Sequence, residues 1–257
     1  MKIKVLTVLL SVSISLFGQN ELNNYVDFLN KQQTPKEYIF ELWEKSDIII
    51  LGERDHRDTT QYNLILDILS DSRFIENVGH LYLEVGVVNA TDKANELIKG
   101  SYESHADFSE KFVELQMEDM WSPSPWDKYN RYQLLLGLSQ INQSLPEDKQ
   151  ITLGLIDMEF SWDNMTVEKY RKFVTDDMNK EYNTREKNMA DNFLAFYKTQ
   201  PLRSGAKKAL IITSREYAGK FNVLCKDKSI KRQAGYIKDV YGDKVKTVAM
   251  NWCKWIR

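Results

Sequence analysis

The chain has 257 residues, with 35 Lys and Arg against 37 Asp and Glu, a formal charge of −2. That near balance, with no basic block, argues against nucleic-acid binding. The length suits one large domain or two small ones.

Residues 1–18 read as a secretory signal peptide. Lys2 and Lys4 form its basic region, and Val5–Phe17 an apolar stretch diluted by Thr7, Ser11, Ser13 and Ser15. That stretch is too short to span a membrane, and no later run is longer. No cysteine lies near the cleavage site, which excludes lipoprotein processing. The expectation is an exported protein, periplasmic or extracellular, with no membrane contact after cleavage. Residues 19–257 would then be a single domain. Two cysteines, Cys225 and Cys253, could pair after export or stay free and buried.

Gln19–Lys31 reads as a short helix. Thr34-Pro35 starts a second, with Thr34 as N-cap and proline in the first turn. Asp47–Leu51 is an apolar β-branched run, as in a strand buried on both faces of a parallel sheet. Thr59–Ser70 is a helix, and Leu81–Val85 a second strand. Helices follow at Ala90–Lys99, about Phe108–Glu118 and Asp127–Gln143. They suggest an insertion or helical cap around residues 90–143. Between them lies the turn Trp121-Ser-Pro-Ser-Pro-Trp126. Ile151–Ile156 is a third strand, followed by helices at Thr166–Asp177 and Thr184–Thr199. Ala209–Thr213 is a fourth strand, Ile230–Tyr241 a helix and Val245–Met250 a fifth strand. The alternation predicts an α/β fold with a mainly parallel central sheet flanked by helices. The abrupt end at Trp252-Cys253-Lys254-Trp255-Ile256-Arg257 reads as a fragment or a truncated frame.

In open parallel sheets, sites form beyond the carboxyl ends of the strands. Strand one delivers Glu53 and His56 there, and strand two Glu84. Strand three delivers Asp157 and Glu159, on one side if the strand continues. Strand four delivers Ser214, Arg215 and Glu216. A carboxylate accepting one ring N–H of a histidine fixes its tautomer and raises the basicity of the other nitrogen. Glu84 could hold a water, orient His56 or act as a second base. The bland alternative is a structural cluster, with Glu53 capping the helix near Thr59 and His56 bonded to a backbone carbonyl. His80 lies at the amino end of strand two, and His105 reads as a surface or capping residue.

Three motifs in order resemble the erythromycin esterase-like superfamily, which also takes in the ChaN-like haem-uptake proteins. They are Ile49-Ile50-Leu51-Gly52-Glu53-x-x-His56 with Leu81-Tyr82-Leu83-Glu84, then Leu155-Ile156-Asp157, then Arg185-Glu186-Lys187-Asn188-Met189-Ala190-Asp191-Asn192. The resemblance implies hydrolysis of an ester or lactone of a small molecule by a histidine-activated water. His56 would be the base, with Glu53 and Glu84 orienting it and the water. Arg185 would hold a carboxylate or the developing oxyanion. One departure stands out. The esterases usually carry a second histidine after the fourth strand, where this chain has Ser214-Arg215-Glu216-Tyr217. Arg215 could stabilise an oxyanion but cannot take up a proton. Asp157, Glu159, Trp121 and Trp126 would line the binding pocket. The ChaN branch implies instead a binder of haem, with His56 or a tyrosine as axial ligand. A variant is a divalent-metal site of Glu53, His56, Glu84 and Asp157, suited to Mn²⁺, Mg²⁺ or Ca²⁺. A degenerate member that binds without turnover is the third reading.

Overall fold

A computed structural model describes residues 22–122, 128–177, 184–219, 223–225 and 228–250. The leader, Trp126 and Cys253 lie outside that set. The chain divides into two compact units, Met1–Tyr38 and Ile39–Arg257. In the first, α1 (22–30) carries Leu22, Tyr25, Phe28 and Leu29 exposed. Thr34 accepts the Glu37 N–H at 3.2 Å, the expected cap. The second unit opens within α2 (Pro35–Lys45).

Five strands form the central sheet: β1 (Ile48–Glu53), β2 (His80–Val87), β3 (Thr152–Asp157), β4 (Ala209–Ser214) and β7 (Val245–Ala249). Their order is β3-β2-β4-β1-β7, and every pairing is parallel. The expected α/β architecture is thus present. From β1 the chain steps one way across the sheet, to β2 and β3, and then returns through β4 to β7. Right-handed crossovers therefore put the first set of helices on one face and the second set on the other. Packing agrees. Ile49, Leu51, Leu81, Leu83, Leu153 and Leu155 face α3 (Thr59–Leu69), α5 (Thr91–Lys99) and α7 (Lys128–Gln143). Ile48, Ile50, Tyr82, Ile156 and Ile211 face α9 (Thr184–Thr199) and α10 (Gln233–Tyr241). The period-2 alternation within each continuous run splits it between two cores.

The stretch expected as an insertion or helical cap comprises α5, α6 (His105–Asp119) and α7. Ser104 and Asp107 close a reciprocal capping box on α6. α5 and α7 bury Ala94, Leu97, Leu134, Leu135 and Leu138 in the core. The turn after α6 reaches the strand ends. Two elements were not expected: α4 (Ser72–Asn77), capped by Asp71, and a hairpin of β5 (Val223–Cys225) and β6 (Lys228–Ile230). α8 (Val167–Lys172) passes into a π-helical turn over Phe173–Asp177.

β3 is an edge strand, yet its outward backbone groups are engaged. Ile151, Leu153 and Leu155 bond through N–H and C=O to the side chains of Asn142, Asn95 and Thr91. Side chains thus stand in for a neighbouring strand and close a pairing edge.

His80 sits buried at the amino end of β2, away from the strand ends that carry the site. Its Nε2–H donates to the Pro201 carbonyl at 3.2 Å, so Nδ1 accepts from the Thr152 hydroxyl at 2.5 Å. Burial, with Arg203 nearby, lowers its pKa to about 4. The folded state therefore binds fewer protons here than the unfolded chain between pH ~6.5 and ~4. Stability is expected to fall as pH drops through that window, by about 3 kcal/mol from this group. Urea midpoints of parent and His80→Gln protein from neutral to acid pH check this. Equal pH slopes in the two would contradict it.

Candidate functional site

The carboxyl ends of β1, β2, β3 and β4 bring most of the expected residues together. Glu53 is the last residue of β1, with its side chain 2% exposed. His56 follows in a short turn. Its Nδ1 lies 2.8 Å from Glu53 Oε2, and its side chain is 22% exposed. A buried carboxylate thus lies at ion-pair distance from one nitrogen of a ring that reaches solvent. The Tyr62 phenol of α3 lies against Glu53. Burial and that carboxylate push the phenol's pKa far up. Glu53 does not cap α3, because Asp58 does so by accepting the Thr60 N–H at 3.1 Å.

The turn bearing His56 is pinned by buried amides. Gln61 accepts the Arg54 N–H at 3.0 Å and donates to the Asp55 carbonyl. Asn130 of α7 donates to the His56 carbonyl at 2.9 Å and accepts from the Thr59 hydroxyl at 3.1 Å. Beside it, Arg131 pairs with Asp119, both buried. Glu53, His56, Tyr62, Leu83, Val85, Arg131, Leu134 and Ile212 bound a narrow crevice with room for about one water.

Glu84 is fully buried, at an irregularity in β2. Leu83 pairs with Leu155 but Val87 with Asp157, so β2 carries extra residues there. Gly86 has φ +124°, which an L side chain rarely adopts, and a Cβ would lie 2.8 Å from Leu155. The bulge aims Glu84 at β4 and α9. Its Oε2 accepts the Ser214 N–H at 2.6 Å and the Thr213 hydroxyl at 2.8 Å. Burial raises its pKa, opposed by Arg185, the Ser214 N–H, His56 and Thr213.

Arg185, in the first turn of α9, bridges two strand ends. Nε and Nη2 form a fork on Asp157 at 2.8 and 2.9 Å, and Nη2 also reaches Glu84 at 3.3 Å. Nη1 donates to the Tyr217 hydroxyl at 3.0 Å. Burial works against its charge, but Asp157 and Glu84 outweigh that and raise its pKa. Trp121 donates its indole N–H to Asp157 at 2.7 Å. Asn192, seven residues or about two turns further along α9, donates to the Ile156 and Asp157 carbonyls. The arginine-to-asparagine stretch of α9 is therefore a clamp on the end of β3.

Two expected residues do not join by their side chains. Arg215 donates its backbone N–H to the Glu53 carbonyl at 3.0 Å, but its side chain is exposed. Glu159 is exposed too, because β3 stops at Asp157, whose carboxylate takes the Met158 N–H. Trp126 lies outside the described residues. The four-ligand metal arrangement is not formed. Among the described residues no three His, Cys, Asp or Glu side chains gather as a ligand set. Arg185 stands between Glu84 and Asp157 as the protein's own cation. Tyr62, Asn130, Arg131 and Tyr217 are participants that the strand-end reading missed. Only Tyr217, three residues past β4, carried a positional signal.

Fold and site together define an α/β protein with a carboxylate–histidine pair and a buried Glu–Arg–Asp cluster at the carboxyl end of its sheet. No family model and no curated protein sequence matches the chain. Among solved structures, a Bacillus cereus protein aligns with a TM-score of 0.52 at 12% identity, over 79% of this chain. This chain spans 65% of that neighbour's length. ChaN of Campylobacter jejuni, in a structure of cofacial haem binding, aligns with a TM-score of 0.48 at 15% identity, over 87% of this chain and 88% of that one. The first likeness supports the fold and nothing finer.

Proposed function

We propose that the chain is an exported hydrolase of the erythromycin esterase-like type, in which the Glu53–His56 pair activates a water to open an ester or lactone of a small molecule. The observation that carries this reading is the 2.8 Å contact between His56 Nδ1 and a buried carboxylate, on a ring still open to solvent. With Nδ1 set against the Glu53 carboxylate, proton uptake falls to Nε2, and Glu53 stabilises the imidazolium that forms. The pinned turn holds the ring in place before substrate arrives, which lowers the entropic part of the barrier. Export follows from the leader read in residues 1–18. Arg185, already engaged by two carboxylates and a phenol, acts as a clamp rather than an open anion site.

Chromogenic esters and lactones, assayed with parent and His56→Ala protein, test the reading. Turnover is expected to fall by about 10³-fold in the variant while its melting curve stays cooperative. A folded His56→Ala protein hydrolysing at the parent rate would end the assignment. Haem is the competing occupant that the sequence resemblance implies. The crevice beside His56, as bounded by the described residues, has room for about one water, which suits the attacking water of the hydrolase reading and is the ground for preferring it. A Soret band on adding haemin, lost in His56→Ala, would reverse that preference.

A further inference from the structure

Ester hydrolysis has two proton problems, and the Glu53–His56 pair answers the first. As the C–O bond breaks, the departing alkoxide also needs a proton. Glu84 and Asp157 are occupied by Arg185, and Arg185 itself keeps its protons at any working pH. Tyr217 is differently placed. It lies in the turn that follows β4, where the Tyr217 and Ala218 N–H groups both bond back to the Ser214 carbonyl, at 3.0 and 3.1 Å. The β1–β4 register pairs Glu53 with Ser214. His56 and Tyr217 therefore each sit three residues beyond a paired position, on neighbouring strands. The Tyr217 carbonyl takes the Ala234 N–H of α10 at 3.0 Å, which fixes the turn from behind.

The hydroxyl geometry is specific. Tyr217 Oη accepts a hydrogen bond from Arg185 Nη1 at 3.0 Å, so its own hydrogen is directed elsewhere. The guanidinium carbon lies 5.3 Å from the ring centroid. A fixed cation thus faces the oxygen on which negative charge would appear after proton loss. Burial raises the Tyr217 pKa; Arg185 opposes that rise, while Glu84, Glu186 and Asp157 add to it, so the guanidinium is the group that favours a phenolate here. We propose that Tyr217 is the proton donor to the leaving group, with Arg185 as the positioning residue that stabilises its transient phenolate. The proposal rests on the hydrolase reading above.

The protons balance. His56 Nε2 takes one proton from water as the water oxygen bonds to the carbonyl carbon. The tetrahedral oxyanion collapses, the C–O bond to the leaving group breaks, and that oxygen takes the Tyr217 proton. The imidazolium then returns its proton to the phenolate, directly or through solvent, which restores both groups. Products are the free acid and the alcohol.

The test is a series of acetate esters running from nitrophenyl through phenyl to alkyl leaving groups. It is assayed with parent, His56→Ala, Tyr217→Phe and Tyr217→His proteins. A leaving group that is already a weak base needs little proton donation, whereas an alkoxide depends on it. Tyr217→Phe is expected to lose about 100-fold in kcat/KM on the alkyl esters and roughly tenfold less than that on the nitrophenyl ester. Tyr217→His, which restores a proton donor, is expected to recover part of the alkyl activity. A loss of equal size along the whole series, or none, would overturn the role of Tyr217 while leaving His56 as base. A parent protein inert on the whole series, or His56→Ala as fast as parent, would overturn the hydrolase reading and this role with it. Cooperative melting of both Tyr217 variants separates a chemical loss from a folding defect.

Discussion

Replacing Arg185 by methionine is expected to destabilise the fold by about 3–5 kcal/mol, the range found when one partner of a buried ion pair is removed. The reason lies in what stays behind. Glu84 is fully buried and Asp157 nearly so, and their main shared neutralising charge is this guanidinium. Methionine fills the space but leaves two carboxylates facing one another. Asp157 would keep the Trp121 indole and the Met158 N–H, and Glu84 would keep Thr213 and the Ser214 N–H. Those bonds soften the loss without removing the repulsion. Burial already raises the Glu84 pKa with Arg185 present, so without it the carboxyl shifts further up. A carboxylate whose folded pKa lies above its unfolded value costs stability as pH rises through that range. The deficit of Arg185→Met against parent should therefore shrink on acidification. Urea midpoints near pH 5 and pH 8 measure it, and a loss below about 1 kcal/mol at both would show the cluster to be poorly coupled.

How the sequence announced this sheet, and where it fell silent, follows from physical scale. Five runs of five or six residues are long enough to declare strands, and all five form the sheet; the continuous apolar run of β1 is buried on both faces as expected, whereas β7, with Lys246 and Thr247, is a partly exposed edge strand. The acid and histidine positions just past those runs, Glu53, His56, Glu84 and Asp157, arrive where a parallel sheet must put them. Arg185 was legible through its helix start and the pattern that ends at Asn192. What spacing does not encode is the direction of a chain once a strand stops. Glu159 would have shared a side with Asp157 had β3 continued, but the Asp157 carboxylate captures the next backbone N–H and the alternation ends. Arg215 reaches the site by its backbone alone.

Elements below the length of any period were also invisible. The three-residue strands of the β5–β6 hairpin carry too few alternations to read. α4 is six residues long, and it is sustained by the Asp71 cap and the burial of Phe74 and Ile75 rather than by propensity. The buried pair of Asp119 and Arg131 comes from two helices whose sequences place charged residues at many positions. Which of those positions turns inward is decided by packing: α7 brings Arg131 to the crevice beside Glu53 and Tyr62, and the end of α6 brings Asp119 to Arg131. That decision is tertiary, and it matters because it sets the electrostatics behind His56.

Those electrostatics lead to the second large effect, that of Glu53→Gln. The exchange keeps size and shape and removes one charge. In the parent, the Glu53 carboxylate lies 2.8 Å from His56 Nδ1, which favours a proton on that nitrogen, leaves Nε2 as the basic atom and supports the imidazolium formed in the transition state. A glutamine amide can present its NH₂ group to the ring instead, which selects the opposite tautomer, and in neither orientation does it balance an imidazolium. Loss of the buried carboxylate behind a catalytic histidine costs about 10⁴-fold in the well-studied Ser-His-Asp enzymes. A fall of about 10³- to 10⁴-fold in kcat is expected here. Stability should move the other way or not at all. Among the described residues Glu53 Oε1 is buried with no hydrogen-bond partner, so the parent carries an ill-satisfied charge that glutamine relieves. The His56→Ala/Glu53→Gln double variant should be no slower than His56→Ala alone, because Glu53 acts through the ring. Three measurements decide it: kcat of the single variant, kcat of the double, and the thermal midpoint of each. Parent-like turnover in Glu53→Gln, or additive losses in the double variant, would separate Glu53 from His56 and break the pair on which the hydrolase reading stands.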